Sequence, residues 1–212
     1  MIQVIDKTNA YAHAETLRLF AALRHRVFVE RLGWRLPCRE PGFEQDQFDN
    51  SNAVYLIAID HDGQVTGGTR LLDTSRGSLL AEVFPYLLDG SPPADPKIFE
   101  VTRFIAASSD GGYDLCMELL WALQVYGVGA GLTHFVSVSY LGLEPMFRRA
   151  GYRFHRLGCV VPMDGTQVAA FQHEVDPATL ERASHRLGAP GTLLRPPASF
   201  FPSPKIHALP WA

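Results

Sequence analysis

Ile98-Phe99-Glu100-Val101-Thr102-Arg103-Phe104-Ile105 reads as a strand that carries two charged residues among apolar ones, and the chain after it decides the fold class. Asp114 to Gly129 is a strongly apolar helix, and Phe135-Val136-Ser137-Val138-Ser139 is a second strand. Further on, Leu143 to Ala150 is a helix stopped by Gly151, Tyr152 to Cys159 a strand, and Gln167 to Val175 the last strand. Asp176-Pro177 then starts a helix that Gly188 ends. Towards the N-terminus the pattern changes. Leu79 to Leu88 is a short helix interrupted at Pro85, and Gln64 to Leu72 is a strand. That strand joins the buried strand Ala53 to Ile59 through the hairpin signal His61-Asp62-Gly63. Before a polar loop holding Pro37, Pro41 and Gly42, the residues Leu17, Phe20, Ala21, Leu23, Val27 and Phe28 recur at helical spacing. They predict an amphipathic helix over 13–32 with Gly33 as its stop, after a short strand over 1–5. Helix and strand alternate only in the second half, and the first half is mostly antiparallel. The fold class expected is α+β with a mixed central sheet.

Residues 1–189 are expected to form a single domain. Six of the fifteen prolines fall in residues 190–212, which predicts an extended tail. Its Phe200, Phe201 and Trp211 are expected to dock on the domain or on a partner. With 47% hydrophobic and 19% charged residues the chain is too apolar and too weakly charged to be disordered. A net charge of −3 gives no general attraction to nucleic acid or an anionic bilayer. No uncharged apolar run reaches the length of a membrane span, and Met1 to Lys7 lacks the pattern of a signal peptide. Cys38, Cys116 and Cys159 lie too far apart for a zinc clip and are odd in number, which suits reduced thiols in the cytoplasm. The eight histidines lack metal-site spacing, so no metal is expected.

Familiar catalytic signatures are missing: no Gly-x-Ser-x-Gly elbow, no Walker loop, no dinucleotide fingerprint. Gly127-Val128-Gly129-Ala130-Gly131 follows a helix and reads as its end. Charges embedded in apolar surroundings are the stronger signal. Arg24 and Phe28 share a helix face, and Trp34 stands just past the helix end. The acidic stretch Phe43-Glu44-Gln45-Asp46-Gln47-Phe48-Asp49 comes next, then Arg70 inside a strand, then Glu100 and Arg103. Such charges are costly unless paired or functional. Two readings fit: a structural ion-pair network of Arg24, Asp46, Asp49, Arg70, Glu100 and Arg103, or a polar site.

In order along the chain stand Leu23-Arg24-His25-Arg26-Val27-Phe28, Leu32-Gly33-Trp34, Glu44-x-Asp46-x-Phe48-Asp49, Gly68-Thr69-Arg70-Leu71-Leu72, Val83-Phe84-Pro85 and Glu100-Val101-Thr102-Arg103-Phe104. Over residues 20 to 105 the chain thereby resembles the LuxI-type acyl-homoserine-lactone (autoinducer) synthases. Val136-Ser137-Val138-Ser139 and Phe147-Arg148-Arg149-Ala150-Gly151-Tyr152 continue the likeness more weakly. The resemblance implies a three-layer α/β/α sandwich of the acetyltransferase (GNAT) kind. It also implies an acyltransferase that joins the acyl group of acyl-acyl carrier protein or acyl-CoA to the amine of S-adenosylmethionine. Lactone closure then releases methylthioadenosine, so S-adenosylmethionine is consumed as a substrate and no cofactor is expected.

By the same resemblance Arg24, Phe28, Trp34, Asp46, Asp49, Arg70, Phe84 and Phe104 are expected to bind S-adenosylmethionine. Carboxylates suit its cationic groups, an arginine its carboxylate, and aromatic faces its sulfonium and adenine. Glu100 and Arg103 are the expected catalytic pair. A half-buried Glu100 has a raised pKa suited to taking a proton from the attacking ammonium; equally, it pairs with Arg103 and does no more. Residues 100 and 103 point to opposite faces of a regular strand, so both serve one cleft only if a bulge or splay lies near Thr102. Such a feature would also expose backbone N–H groups to polarise the thioester carbonyl. Ser137, Ser139, Met117, Trp121, Leu141 and Met146 are expected to line the acyl pocket, or to be simple core. A hydroxyl residue on the strand of Ser137 is linked in the family to 3-oxo chains. Threonine is the usual residue there, so the serines leave the chain's oxidation state open. Arg148, Arg149, Arg153 and Arg156 suggest a basic patch for an acidic carrier protein. An N-acyltransferase using acyl-CoA and another amine, or a non-catalytic sensor of S-adenosylmethionine or acyl chains, stands as the alternative.

Overall fold

The computed structural model describes residues 1–36, 38, 40–107, 113–187 and 194–195. Its strands are Ile2–Ile5 (β1), Val54–Ile59 (β2), Val65–Asp73 (β3), Ile98–Ala106 (β4), His134–Tyr140 (β5), Phe154–Arg156 (β6), Val161–Met163 (β7), Thr166–Glu174 (β8) and Leu194–Arg195 (β9). The α-helices are Ala14–Arg24 (α1), Leu79–Glu82 (α2), Tyr113–Gly129 (α3), Glu144–Arg149 (α4) and Pro177–Leu187 (α5). The sheet runs β6-β8-β5-β4-β3-β2-β1-β9, with β7 paired to β8. β4 with β5 and β1 with β9 are parallel, and the other pairs are antiparallel. A parallel neighbour needs a crossover, and α3 supplies it between β4 and β5.

Alternation along the strands sends side chains to the two faces of the sheet. On one face Ile5, Phe20, Leu23, Ile57, Leu72 and Ile105 pack beneath α1. On the other Leu56, Leu71, Leu120, Phe135, Phe147, Phe171 and Leu180 pack beneath α3, α4 and α5. The mixed α/β/α sandwich expected from the sequence is therefore present.

Three local expectations differ. The helix over 13–32 is α-helical only to Arg24; His25–Arg31 is π-helical, with Leu32 N–H donating to Val27 C=O. The wider turn sets Phe28 inward, where its ring stacks on Trp34 at 4.8 Å and 10°. The strand over 152–159 shortens to β6, because Leu157 turns its carbonyl to Asp89 N–H while Gly158 abuts Leu87 so closely that a Cβ would collide with its carbonyl oxygen. β7 is an unexpected strand, a hairpin with β8 around Asp164-Gly165, both at positive φ. The tail residues Leu194 and Arg195 pair with Ile2 and Gln3, whereas Phe200, Phe201 and Trp211 lie outside the described residues.

β4 is irregular in two ways. Thr102 pairs with Arg70 and Ile105 with Gly68, so two β4 residues, Arg103 and Phe104, oppose Thr69 alone. This is the bulge expected near Thr102, and Arg103 takes φ +54° to make it. In addition, β4 and β5 pair only from Ile98/His134 to Val101/Ser137. Beyond that rung β4 continues to Ala106 and β5 to Tyr140 without pairing each other, so the middle of the sheet opens as a wedge.

Candidate active site

At the wedge's root, on the α1 face, three arginines meet three carboxylates. Arg24 at the end of α1 holds Asp49 through two bonds of 2.6 and 2.9 Å and reaches Glu44 at 2.5 Å. Arg70 on β3 holds Asp46 at 2.6 and 3.0 Å and Asp49 at 2.9 Å. Arg103 on the bulge closes the ring, with both oxygens of Glu44 at 3.0 Å and Asp46 at 2.8 Å. The arginines come from three different elements, and the carboxylates all come from the loop over 43–49. Only the bulge lets Arg103 share Asp46 with Arg70, since it places residues 102 and 103 on one face and moves 104 to the other.

The ring is nearly dry: Arg24, Arg70 and Glu44 are at most 1% exposed. It is also neutral, three cations against three anions, so the buried charges are compensated in place. Further donors hold the carboxylates: Tyr55 O–H to Asp49, Asp46 N–H to Asp49, and Phe48 N–H to Asp46. Burial works against ionisation of Asp49, but Arg24 and Arg70 outweigh it and hold its carboxyl well below the usual range. Phe28, stacked on Trp34, lies 5.8 Å under the Arg103 guanidinium.

Glu100 stands apart from this ring. The pairing of Glu100 with Arg103 weighed from the sequence is not formed, because the bulge turns Arg103 to Glu44 and Asp46. Glu100 is 1% exposed; its Oε1 accepts Leu80 N–H at 3.0 Å, and Oε2 has no partner among the described residues. Burial pushes its pKa up to about 7, only partly countered by the Leu79 and Leu80 amides and by Arg70 and Arg103. Its neighbours on that face include Leu72 on β3 and Val136 on β5, paired to it across the sheet.

The remaining expected residues divide between the faces. Phe84 packs at the edge of the α1-side core, ring to ring with Tyr86 at 6.3 Å. Phe104 does not join the charged site: the bulge shifts its side chain to the α3 face, where, like Val101 and Ala106, it packs against the core on that side. Ser137, Ser139, Met117, Leu141 and Met146 lie on that face too, with Ser137 on the last rung before the wedge. Trp121 is turned away to α5, where its indole N–H donates to Ser184 at 3.0 Å. Three of the four arginines expected to form a basic patch are engaged with acids: Arg148 and Arg156 with Glu144, Arg153 with Glu174 and Asp176.

Sequence reasoning left three residues without a role. Glu44 bridges two arginines; its signal is the two-residue spacing from Asp46 in a stretch holding a third acid. Tyr55 and His173 give no signal of their own, because an apolar strand tolerates both as core.

A family model described as autoinducer synthase matches residues 7–183. The chain belongs to the autoinducer synthase family. It is 35% identical over 195 residues to an acyl-homoserine-lactone synthase of Ralstonia nicotianae, spanning 88% of this chain and 91% of that one. Among solved structures it resembles BjaI, described as a CoA-dependent acyl-homoserine lactone synthase with SAM and isopentyl-CoA, at TM-score 0.85 and 29% identity, over 93% of each chain. An acyl-CoA N-acyltransferase from Pseudomonas aeruginosa shares the fold at TM-score 0.56 and 20% identity, covering 81% of this chain and 98% of that one. This autoinducer synthase is thus an acyltransferase of GNAT-like fold whose activity is acyl-homoserine-lactone synthesis. None of its described helices is long and apolar enough to cross a membrane.

Proposed function

We propose that the synthase transfers an acyl group from acyl-CoA to the amine of S-adenosylmethionine and then closes the lactone, with the charged ring and Glu100 as its site. The observation that carries this is Glu100 at the foot of the wedge: buried, poised near neutrality, with one oxygen unpartnered, beside a ring that is already neutral. S-adenosylmethionine brings an ammonium, a sulfonium and a carboxylate. Its cations draw Glu100 to the carboxylate form, which then takes the ammonium proton. The freed amine attacks the thioester carbonyl; the C–N bond forms, the C–S bond breaks, and the thiolate leaves with a proton. The methionine carboxylate next displaces the sulfonium at Cγ, forming the ring C–O bond and releasing methylthioadenosine.

The arginines of the ring suit the substrate carboxylate, with Asp46 and Asp49 offsetting its cations and Phe28 and Trp34 giving aromatic faces. The unpaired facing edges of β4 and β5 suit the amides and the thioester carbonyl of a pantetheine arm. Acyl-CoA is favoured over a carrier protein because Arg148, Arg153 and Arg156 are neutralised by acids on their own surface, and because BjaI is described with an acyl-CoA. S-adenosylmethionine is consumed, so the reaction needs no cofactor. The free cysteines Cys38, Cys116 and Cys159 fit a cytoplasmic setting. Mixing the protein with S-adenosylmethionine and a panel of acyl-CoAs tests the proposal. Mass spectrometry should show methylthioadenosine, free CoA and an acyl-homoserine lactone in equal amounts. Free CoA without methylthioadenosine would mean another amine is the acceptor.

A further inference from the structure

Behind the charged ring lies a cavity of about 300 Å³, bounded by the end of β1, one face of α1, the start of β2 and the loop over 45–51. Ile5, Leu17, Phe20, Ala21 and Ala53 give it apolar walls. Arg24, Asp49 and Tyr55 form the side that faces the ring, where Asp49 is held by both of the others. No residue of β4 or β5 lines it, so it is separate from the wedge. Its size is at the lower end for a small-molecule pocket and suits one or two side chains better than a coenzyme.

The chain directs apolar groups of its own towards this cavity. β9 runs parallel to β1, with Leu194 beside Ile2 and Arg195 beside Gln3. Continued in that direction, the chain heads for Ile5 and the cavity. Pro196 and Pro197 bring no N–H with which to extend the ladder, which frees the chain to turn onto the α1 face. After Ala198 and Ser199 come Phe200 and Phe201. The level of Ile5 is about 7 Å beyond Arg195, whereas the chain from Arg195 to Phe200 spans up to about 17 Å. Two adjacent phenyl rings gain from leaving water, and the apolar walls at the end of β1 give them a place within reach.

We propose that the C-terminal tail of this chain docks on its own domain here, with Phe200 and Phe201 filling the cavity and bracing α1 and the charged ring from behind. The proposal does not depend on which reaction the enzyme catalyses.

The test puts the photoreactive residue p-benzoylphenylalanine in place of Phe200 and, separately, of Phe201 in the full chain. After ultraviolet irradiation, mass spectrometry of the digested protein should find links to residues 5–24 or 45–55. The linked protein should still run as one chain on a denaturing gel. Links that join two chains would give the cavity to the tail of a second copy. Links elsewhere, or none from either position, would leave it to another occupant such as a small molecule. Each of these results overturns the proposal. Hydrogen exchange supplies a measurement that needs no probe. In Phe200→Ala/Phe201→Ala the amides over 17–24 in α1 should exchange about tenfold faster than in the wild type, while those of α5 on the other face keep their rate. Equal exchange over 17–24 in the two proteins would also overturn it.

Discussion

Glu100 shows how a single residue can be read from its surroundings. It owes its pKa of about 7 first to burial, so the folded state keeps a proton that an unfolded glutamate would lose near 4.5. Its folded pKa is raised, so its contribution to stability is fully present below about pH 4.5 and is lost as pH rises through about 7. The total is about 3 kcal/mol across that window. Glu100→Gln should flatten this part of the stability–pH curve in denaturant melts. The same change should lower kcat for methylthioadenosine release by about 10²- to 10⁴-fold, the usual contribution of a positioned base. It should also remove the rise in wild-type kcat/KM with pH towards neutrality. A variant that kept that rise would place the base elsewhere.

Among the elements, β4 shows what the sequence displays and what it hides. The charges at residues 100 and 103 were visible in a strand of apolar residues, and their odd spacing already demanded a bulge. The partners were not visible, because they depend on where the 43–49 loop folds back, and a bulge redirects them: Arg103 goes to Glu44, Glu100 is left alone, and Phe104 changes face. The π-helical turn was equally hidden, since its residues keep ordinary helical periodicity. Beside the bulge, Gly67 and Gly68 on β3 let the neighbouring strands close. A Cβ on Gly67 would stand 2.5 Å from Ile105 O, and one on Gly68 2.7 Å from Leu56 O. Gly67→Ala should therefore push β4 outward and cost about 1–3 kcal/mol in denaturant melts. Activity should fall with it, because Arg103 rides on the displaced strand. A Gly67→Ala variant of wild-type stability would show that the bulge tolerates the shift.

For the whole molecule, apolar periodicity marked nearly every helix and long strand and so made the α+β class legible, while the α/β/α layering came from the family resemblance. The sequence could not show how charge is spent. Of the ionisable residues, six are gathered in one dry, neutral ring, while Arg148, Arg153 and Arg156 pair on the surface with Glu144, Glu174 and Asp176. Those pairs reduce the positive field that the surface offers to an acidic protein. The double variant Arg148→Ala/Arg153→Ala should keep kcat/KM with acyl-CoA within about twofold, as expected for exposed pairs worth at most about 1 kcal/mol. A tenfold loss would mean that an anionic donor docks there.

Because β4 and β5 stop pairing at Val101 and Ser137, the sheet has, among the described residues, free strand edges in its interior as well as at its rim. Edges at a rim invite another polypeptide. These face each other inside a wedge, so what they can pair with is a slender ligand that threads between them. Amide protons on the facing edges, over 102–106 and 138–140, should accordingly exchange with solvent faster than those of the paired rungs below. They should slow when an acyl-CoA is bound, giving a record of occupancy that needs no turnover.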